Sequence, residues 1–104
     1  MLGTLVRWYQ TLKRRFTLGT DVGNGEYILP TGRDSVRYTR ADYSVEVQVE
    51  LRGGGKDYTI YAGTAKYWLP PHEDIPINDS ERYEIVTAIG RYLDQSARTY
   101  EVKE

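Results

Sequence analysis

The sequence predicts an α+β domain, a single antiparallel β-sheet of about five to six strands with an N-terminal and a C-terminal helix packed on one face. Three observations carry this expectation. The run Tyr43–Leu51 alternates apolar and polar residues throughout, two other segments repeat apolar residues at helical spacing, and glycine- or proline-rich turns separate the stretches between. The 104 residues have room for one domain, 1–104, and for a core that needs no covalent staples.

Leu2, Leu5, Trp8, Tyr9, Leu12 and Phe16 fall on one stripe of a helix, with Arg7, Gln10, Thr11 and Arg14 opposite. Gly19 and Gly23 end that helix, and Gly23-Asn24-Gly25 supplies the positive φ angles of a tight hairpin. Glu26–Leu29 is a short strand closed by Pro30, Gly32 and Asp34. Ser35–Arg40 sets Val36 and Tyr38 on one face and Arg37 on the other. Tyr43–Leu51 is the clearest strand: Tyr43, Val45, Val47, Val49 and Leu51 face one way and Ser44, Glu46, Gln48 and Glu50 the other, the pattern of a sheet with one packed and one wet face. Gly53–Gly55 forms a loop to the strand Tyr58–Ala62, and Ala65–Leu69 is a further strand stopped by Pro70 and Pro71. Asn78 and Glu81 form a capping box that opens the second helix. Its buried stripe is Ile85, Val86, Ile89, Tyr92 and Leu93, with Glu84, Thr87, Arg91 and Asp94 in water. Arg98–Lys103 is the closing strand.

Composition removes several chemistries. With no cysteine, disulfides, zinc thiolates and thiol nucleophiles are excluded, and a single histidine excludes any mechanism that needs two imidazoles. No apolar run approaches the roughly 18 residues of a membrane span. Arg7 breaks the N-terminal apolar stretch before signal-peptide length, which predicts a cytoplasmic protein. The net charge of −1 is unevenly spread, with +4 over residues 1–20 and −4 from Glu73 to Glu104.

His72, Glu73 and Asp74 are the residues best suited to metal or acid–base work, but neighbours on a proline-stiffened loop point in different directions. A helical zinc-protease pattern would need histidine at position 76, where Pro76 stands. No serine sits in a nucleophile elbow, and Gly53–Gly55 lacks the Lys-Ser/Thr of a phosphate loop. Neither a catalytic residue nor a cofactor is therefore expected. An alternative is a nucleic-acid accessory protein using Arg7, Lys13, Arg14, Arg15, Arg37 and Arg40. Interleaved Asp21, Asp34 and Asp42 and an isoelectric point near 5.8 weigh against it.

Tyrosine is the compositional anomaly, at ten residues against one phenylalanine, so many rings keep a polar handle. Tyr67 and Trp68 are adjacent on an extended segment and must point to opposite sides. This favours a protein-binding surface built from Tyr61, Tyr67, Trp68, His72, Glu73 and Asp74. An exposed edge strand could also pair with its own copy to give a homodimer.

A basic aromatic N-terminus, short Tyr-rich strands, Trp68-Leu69-Pro70-Pro71-His72 before an N-capped helix, and a closing Tyr100-Glu101-Val102 strand occur in that order. This arrangement resembles one of the small immunity-protein families of bacterial polymorphic toxin systems, of the immunity protein 74 type. The resemblance implies a cytoplasmic, non-catalytic protein that binds and neutralises a cognate toxin domain. Partners of nuclease toxins are often strongly acidic, so the near-neutral charge argues against a nuclease as the target.

Overall fold

The computed structural model describes residues 18–51 and 57–104. Six strands form one sheet in chain order: β1 (Thr20–Gly23), β2 (Glu26–Gly32), β3 (Ser35–Arg40), β4 (Tyr43–Leu51), β5 (Tyr58–Tyr61) and β6 (Tyr100–Lys103). One helix, α1 (Asp79–Gln95), stands between β5 and β6, preceded by a short 3₁₀ turn at Ala62–Thr64. Neighbouring strands are antiparallel as far as β5, whereas β6 lies parallel to β5.

The sheet is therefore mixed, which corrects the all-antiparallel expectation. A tight hairpin can only reverse direction, whereas a parallel pair needs a long crossover, which α1 provides between β5 and β6. Of the two helices expected, α1 is the C-terminal one; the helix expected over Leu2–Phe16 falls outside the described residues, as does the glycine loop Gly53–Gly55. Ala65–Leu69 is not a strand, and makes a single bridge, Tyr67 to Pro76.

Local chemistry explains the turns. Asn24 and Gly25 join β1 to β2 with φ of 57° and 73°, the positive pair that a two-residue hairpin requires. β2 runs on through Pro30, beyond the expected end at Leu29. This is tolerated because β1 pairs only as far as Ile28, so no partner on that side needs the missing N–H. At the start of α1 the Asn78 side chain accepts from the Glu81 N–H at 2.8 Å, and Glu81 returns a bond to the Asn78 N–H at 3.1 Å.

Register stacks the core: Ile28 opposite Tyr38, Tyr38 opposite Val45, Val36 opposite Val47, and Val49 opposite Ile60. Ile85, Ile89 and Leu93 of α1 are buried in the same cluster, as the helical spacing predicts, together with Ala88, while Val86 and Tyr92 pack against it partly buried. Gly90 is a close approach, since a Cβ there would collide with the Tyr100 hydroxyl.

One charge lies inside this packing. Glu26 is 5% exposed. One of its oxygens accepts from the Tyr38 hydroxyl at 2.5 Å, and the other accepts from Arg91 Nη2 at 2.6 Å. Arg91 Nε also donates to the Val22 carbonyl at 3.0 Å. Arg91 is thus a structural clamp rather than the solvated residue the helical wheel predicts. Burial, and then the neighbouring Glu26 carboxylate, push the Tyr38 hydroxyl well above the usual tyrosine range.

Two outcomes follow from this network. Arg91→Met leaves a buried carboxylate without its cation and should lower stability by about 2–3 kcal/mol in denaturant unfolding, below the fully buried case because Arg91 is partly exposed. Neutral Tyr38 stabilises the fold fully below its ordinary titration near pH 10, and that stability drains as pH rises through and beyond it. The unfolding free energy should fall between about pH 10 and 11 with a slope of up to about 1.4 kcal/mol per unit from this group, and Tyr38→Phe should flatten that part of the profile.

Candidate functional site

β4 is nine residues long and β5 only four. β5 covers Gln48 to Leu51, so the half of β4 from Tyr43 to Val47 has no strand on that side. The segment from Thr64 to Leu69 takes the vacant place. The Thr64 hydroxyl accepts from the Gln48 N–H at 3.0 Å, and the Leu69 N–H donates to the Ser44 carbonyl at 2.8 Å. Backbone groups that a longer β5 would satisfy are thereby met by a loop.

This loop spans residues 65–77 and has a closed neck. The Ile77 N–H donates to the Lys66 carbonyl at 2.9 Å, and Tyr67 bridges Pro76. From α1, Arg82 donates to the carbonyls of both Ala65 and Ile77 at 3.2 Å, and pairs with Asp79 at 2.7 Å. Ala65, Trp68 and Ile77 are buried in the core. The tip folds through two consecutive turns, His72 N–H to the Leu69 carbonyl and Ile75 N–H to the His72 carbonyl, each at 3.0 Å, with Pro70-Pro71 joined by a cis peptide bond.

An aromatic series connects the core to the tip. Tyr38 and Trp68 have ring centroids 6.5 Å apart, Trp68 and Tyr43 meet edge to face at 5.2 Å, and Tyr43 stacks on His72 at 4.0 Å with 13° between planes. The His72 Nε2 and Trp68 Nε1 atoms are buried and have no hydrogen-bond partner in the structure. Beside His72 lies a hollow of about 450 Å³, lined by Leu18, Arg37, Thr39, Ala41, Asp42, Ser44 and Pro71.

The six residues singled out from the sequence divide by position. Tyr67 is 59% exposed, and Glu73 and Asp74 are exposed on the tip. His72 is half-buried in the stack. Trp68 is 3% exposed and lies under the loop, so Tyr67 and Trp68 do point to opposite sides. Tyr61 sits apart at the end of β5, half-buried, its hydroxyl donating to Glu50 at 3.0 Å. The structure therefore gathers Tyr67, His72, Glu73 and Asp74 on one loop, with Trp68 beneath them. Two contributors were not singled out from the sequence. Tyr43 reads as an ordinary strand residue and Arg82 carries no signal of its own in the sequence; the loop's return across β4 brings the loop to both.

Of the basic residues, Arg37 pairs across strands with Glu46 at 3.2 Å, and Arg40 pairs with Glu84 of α1 at 2.9 Å. Adjacent strand parity sets these two arginines on opposite faces of the sheet. Arg7, Lys13, Arg14 and Arg15 lie outside the described residues. Among the described residues no group of three or more His, Asp or Glu side chains is placed to hold a metal ion, and no helix is long and apolar enough to cross a membrane.

A family model described as Immunity protein 74 matches residues 28–103. No curated protein and no solved structure matches the chain.

Trp68→Ala should cost about 3–5 kcal/mol in denaturant unfolding, because it empties a core position and releases the loop. Tyr67→Ala, at the exposed neighbouring position, should stay within about 0.5 kcal/mol of the parent protein. Equal effects of the two would show that the loop is not anchored through Trp68.

Proposed function

Because the chain belongs to the Immunity protein 74 family, we propose that it neutralises a cognate toxin domain in the bacterial cytoplasm by binding it, with no catalysis of its own. The observation that carries this reading is the extent of the family match, which runs from Ile28 to Lys103 and takes in the whole loop and its supports. The contact surface is centred on Tyr67, His72, Glu73 and Asp74, with Tyr61 as an outlying contact and Trp68 as the buried support. The exposed Tyr67 ring supplies contact area at low rotamer cost, and the two carboxylates supply a charged rim that selects a basic patch on the partner. Inhibition then follows from occlusion of the toxin's active site or of a surface next to it.

Support for this reading also comes from how the loop is held. Its neck is closed by backbone bonds and by Arg82, and its base is buried with Trp68, so little ordering remains to be done on association. No comparable observation favours the nucleic-acid alternative, since Arg37 and Arg40 are each engaged by a carboxylate.

The test is co-expression with the C-terminal domain of the open reading frame directly upstream. The expected result is rescue of growth and a complex that co-purifies. Tyr67→Ala, Glu73→Ala and Asp74→Ala should each weaken the isolated complex by about tenfold or more while leaving the thermal midpoint unchanged. A harmless neighbour that does not co-purify would remove this reading.

A further inference from the structure

The two edges of the sheet are built differently. β1 carries a register irregularity between Asp21 and Gly23, a feature that blunts an edge. β6 pairs with β5 in unbroken register over all four of its residues, from Tyr100 opposite Tyr58 to Lys103 opposite Tyr61. Thr99 turns its carbonyl toward β5, where it accepts from the Tyr58 N–H at 3.1 Å. Alternation along the strand then directs the N–H and C=O of Tyr100, Val102 and Glu104 away from the sheet.

We propose that β6 pairs antiparallel with β6 of a second copy of this chain, about a two-fold axis at Val102, continuing the sheet across a homodimer. Outward backbone and charge select the same register. With Val102 opposite Val102 of the second copy, the outward groups form a reciprocal hydrogen-bonded pair, and Tyr100 falls opposite Glu104. Glu101 of each copy then lies opposite Lys103 of the other, on one face and in the closer, non-hydrogen-bonded position. A two-fold axis at Glu101 would instead set two carboxylates together, and one at Lys103 two ammonium groups. Among axes at Glu101, Val102 and Lys103, the one at Val102 avoids opposed like charges and also pairs the outward backbone groups directly.

The opposite face contributes apolar surface. Val102 lies across from the buried Ile60, on the side covered by α1, yet is 47% exposed. Beside it a hollow of about 420 Å³ runs along α1, with Tyr83, Val86, Ala62 and Val102 in its lining, and Tyr83 is 74% exposed. Two-fold pairing at Val102 brings the hollows of both copies to the axis on the same face, each Val102 against the other. Strand pairing this short covers only part of the roughly 1,000 Å² that a specific interface needs. The apolar lining of the hollow beside Val102 adds to the surface that such pairing buries.

The experiment is sedimentation equilibrium on the purified full chain at low and high micromolar concentration, without any toxin, so its result is independent of the toxin-binding reading. A species of twice 12.0 kDa is expected at the higher concentration. Lys103→Glu sets carboxylates opposite each other at two symmetric positions and should raise the dimer dissociation constant by about tenfold or more. Glu101→Lys should do the same, and the double reversal Glu101→Lys with Lys103→Glu should restore dimerisation. Val102→Pro removes the outward N–H and none of the bonds to β5, and should leave a monomer. Circular dichroism and the thermal midpoint identify any variant that fails to fold, and Lys103→Glu, at an exposed position, keeps the test decisive if Glu101→Lys does not fold. A monomer at every concentration, or a dimer indifferent to Lys103→Glu, overturns the proposal. A chain that is monomeric alone but loses toxin binding through Val102→Pro would assign the edge to a toxin strand and overturn it equally.

Discussion

The candidate site rests on a mismatch in strand length. A nine-residue β4 beside a four-residue β5 leaves half of one strand with backbone groups that must find partners. Extending β5 would satisfy them and leave nothing but sheet. Instead the chain breaks after Tyr61, turns through Ala62–Thr64, and lays an irregular segment against Ser44 and Gln48. An irregular segment docked in this way can expose some side chains and bury others without obeying strand parity. Ala65, Trp68 and Ile77 go inward while Lys66, Tyr67 and the tip face out. The loop is thus a displaced part of the sheet, and it inherits the rigidity of the strand it replaces.

A second constraint fixes how α1 lies on that sheet. Apolar contacts between Ile85, Ile89, Leu93 and the valines would tolerate sliding, since none of them is directional. The Glu26 carboxylate is directional. It needs a donor from Tyr38 on β3 and another from Arg91 on α1, and Arg91 simultaneously reaches the Val22 carbonyl on β1. A buried ion pair contributes little net stability over an apolar substitute, so its value lies in selecting one docking geometry. That geometry carries through to the site, because Arg82 projects from the same helix onto both sides of the loop neck. Sliding α1 would move the clamp off the carbonyls it holds.

How much of this was legible in the sequence depended on whether the information was local. The Asn24-Gly25 turn, the alternation through Val45, Val47 and Val49 of β4, the Asn78–Glu81 capping box and the Ile85, Ile89 and Leu93 stripe of α1 are each written within a few residues, and each appears as read, whereas Tyr43 and Leu51 at the ends of β4 are exposed. The parallel placement of β6 is not local: Tyr100–Lys103 has the same alternation whichever way it pairs, and only the crossover through α1 decides. The Ala65–Leu69 segment misleads for a related reason, since its composition suits a strand and it lies beside β4, but it meets β4 through the Leu69 N–H and forms no ladder with it. Arg91 reads as solvated because helical periodicity reports which side a residue is on, and not that an acid waits on β2. In the site, the opposed directions of Tyr67 and Trp68 could be read from adjacency alone. That Trp68 is the buried one could not, because the core it enters is assembled from distant strands.

The stacking of Tyr38, Trp68, Tyr43 and His72 separates two tasks that a binding loop must perform. Position is set from below, by rings whose contacts are within the protein and whose burial is complete or nearly so at Tyr38 and Trp68. Charge and shape are presented from above, by Tyr67, Glu73 and Asp74, none of which takes part in the stack. A change of charge at the tip therefore alters what the loop can meet without loosening how it is held, whereas a change in the stack does the reverse. Surfaces that must distinguish one partner from close relatives gain most from that separation, because discrimination is a difference between affinities and is lost when the recognising groups can rearrange to suit either partner.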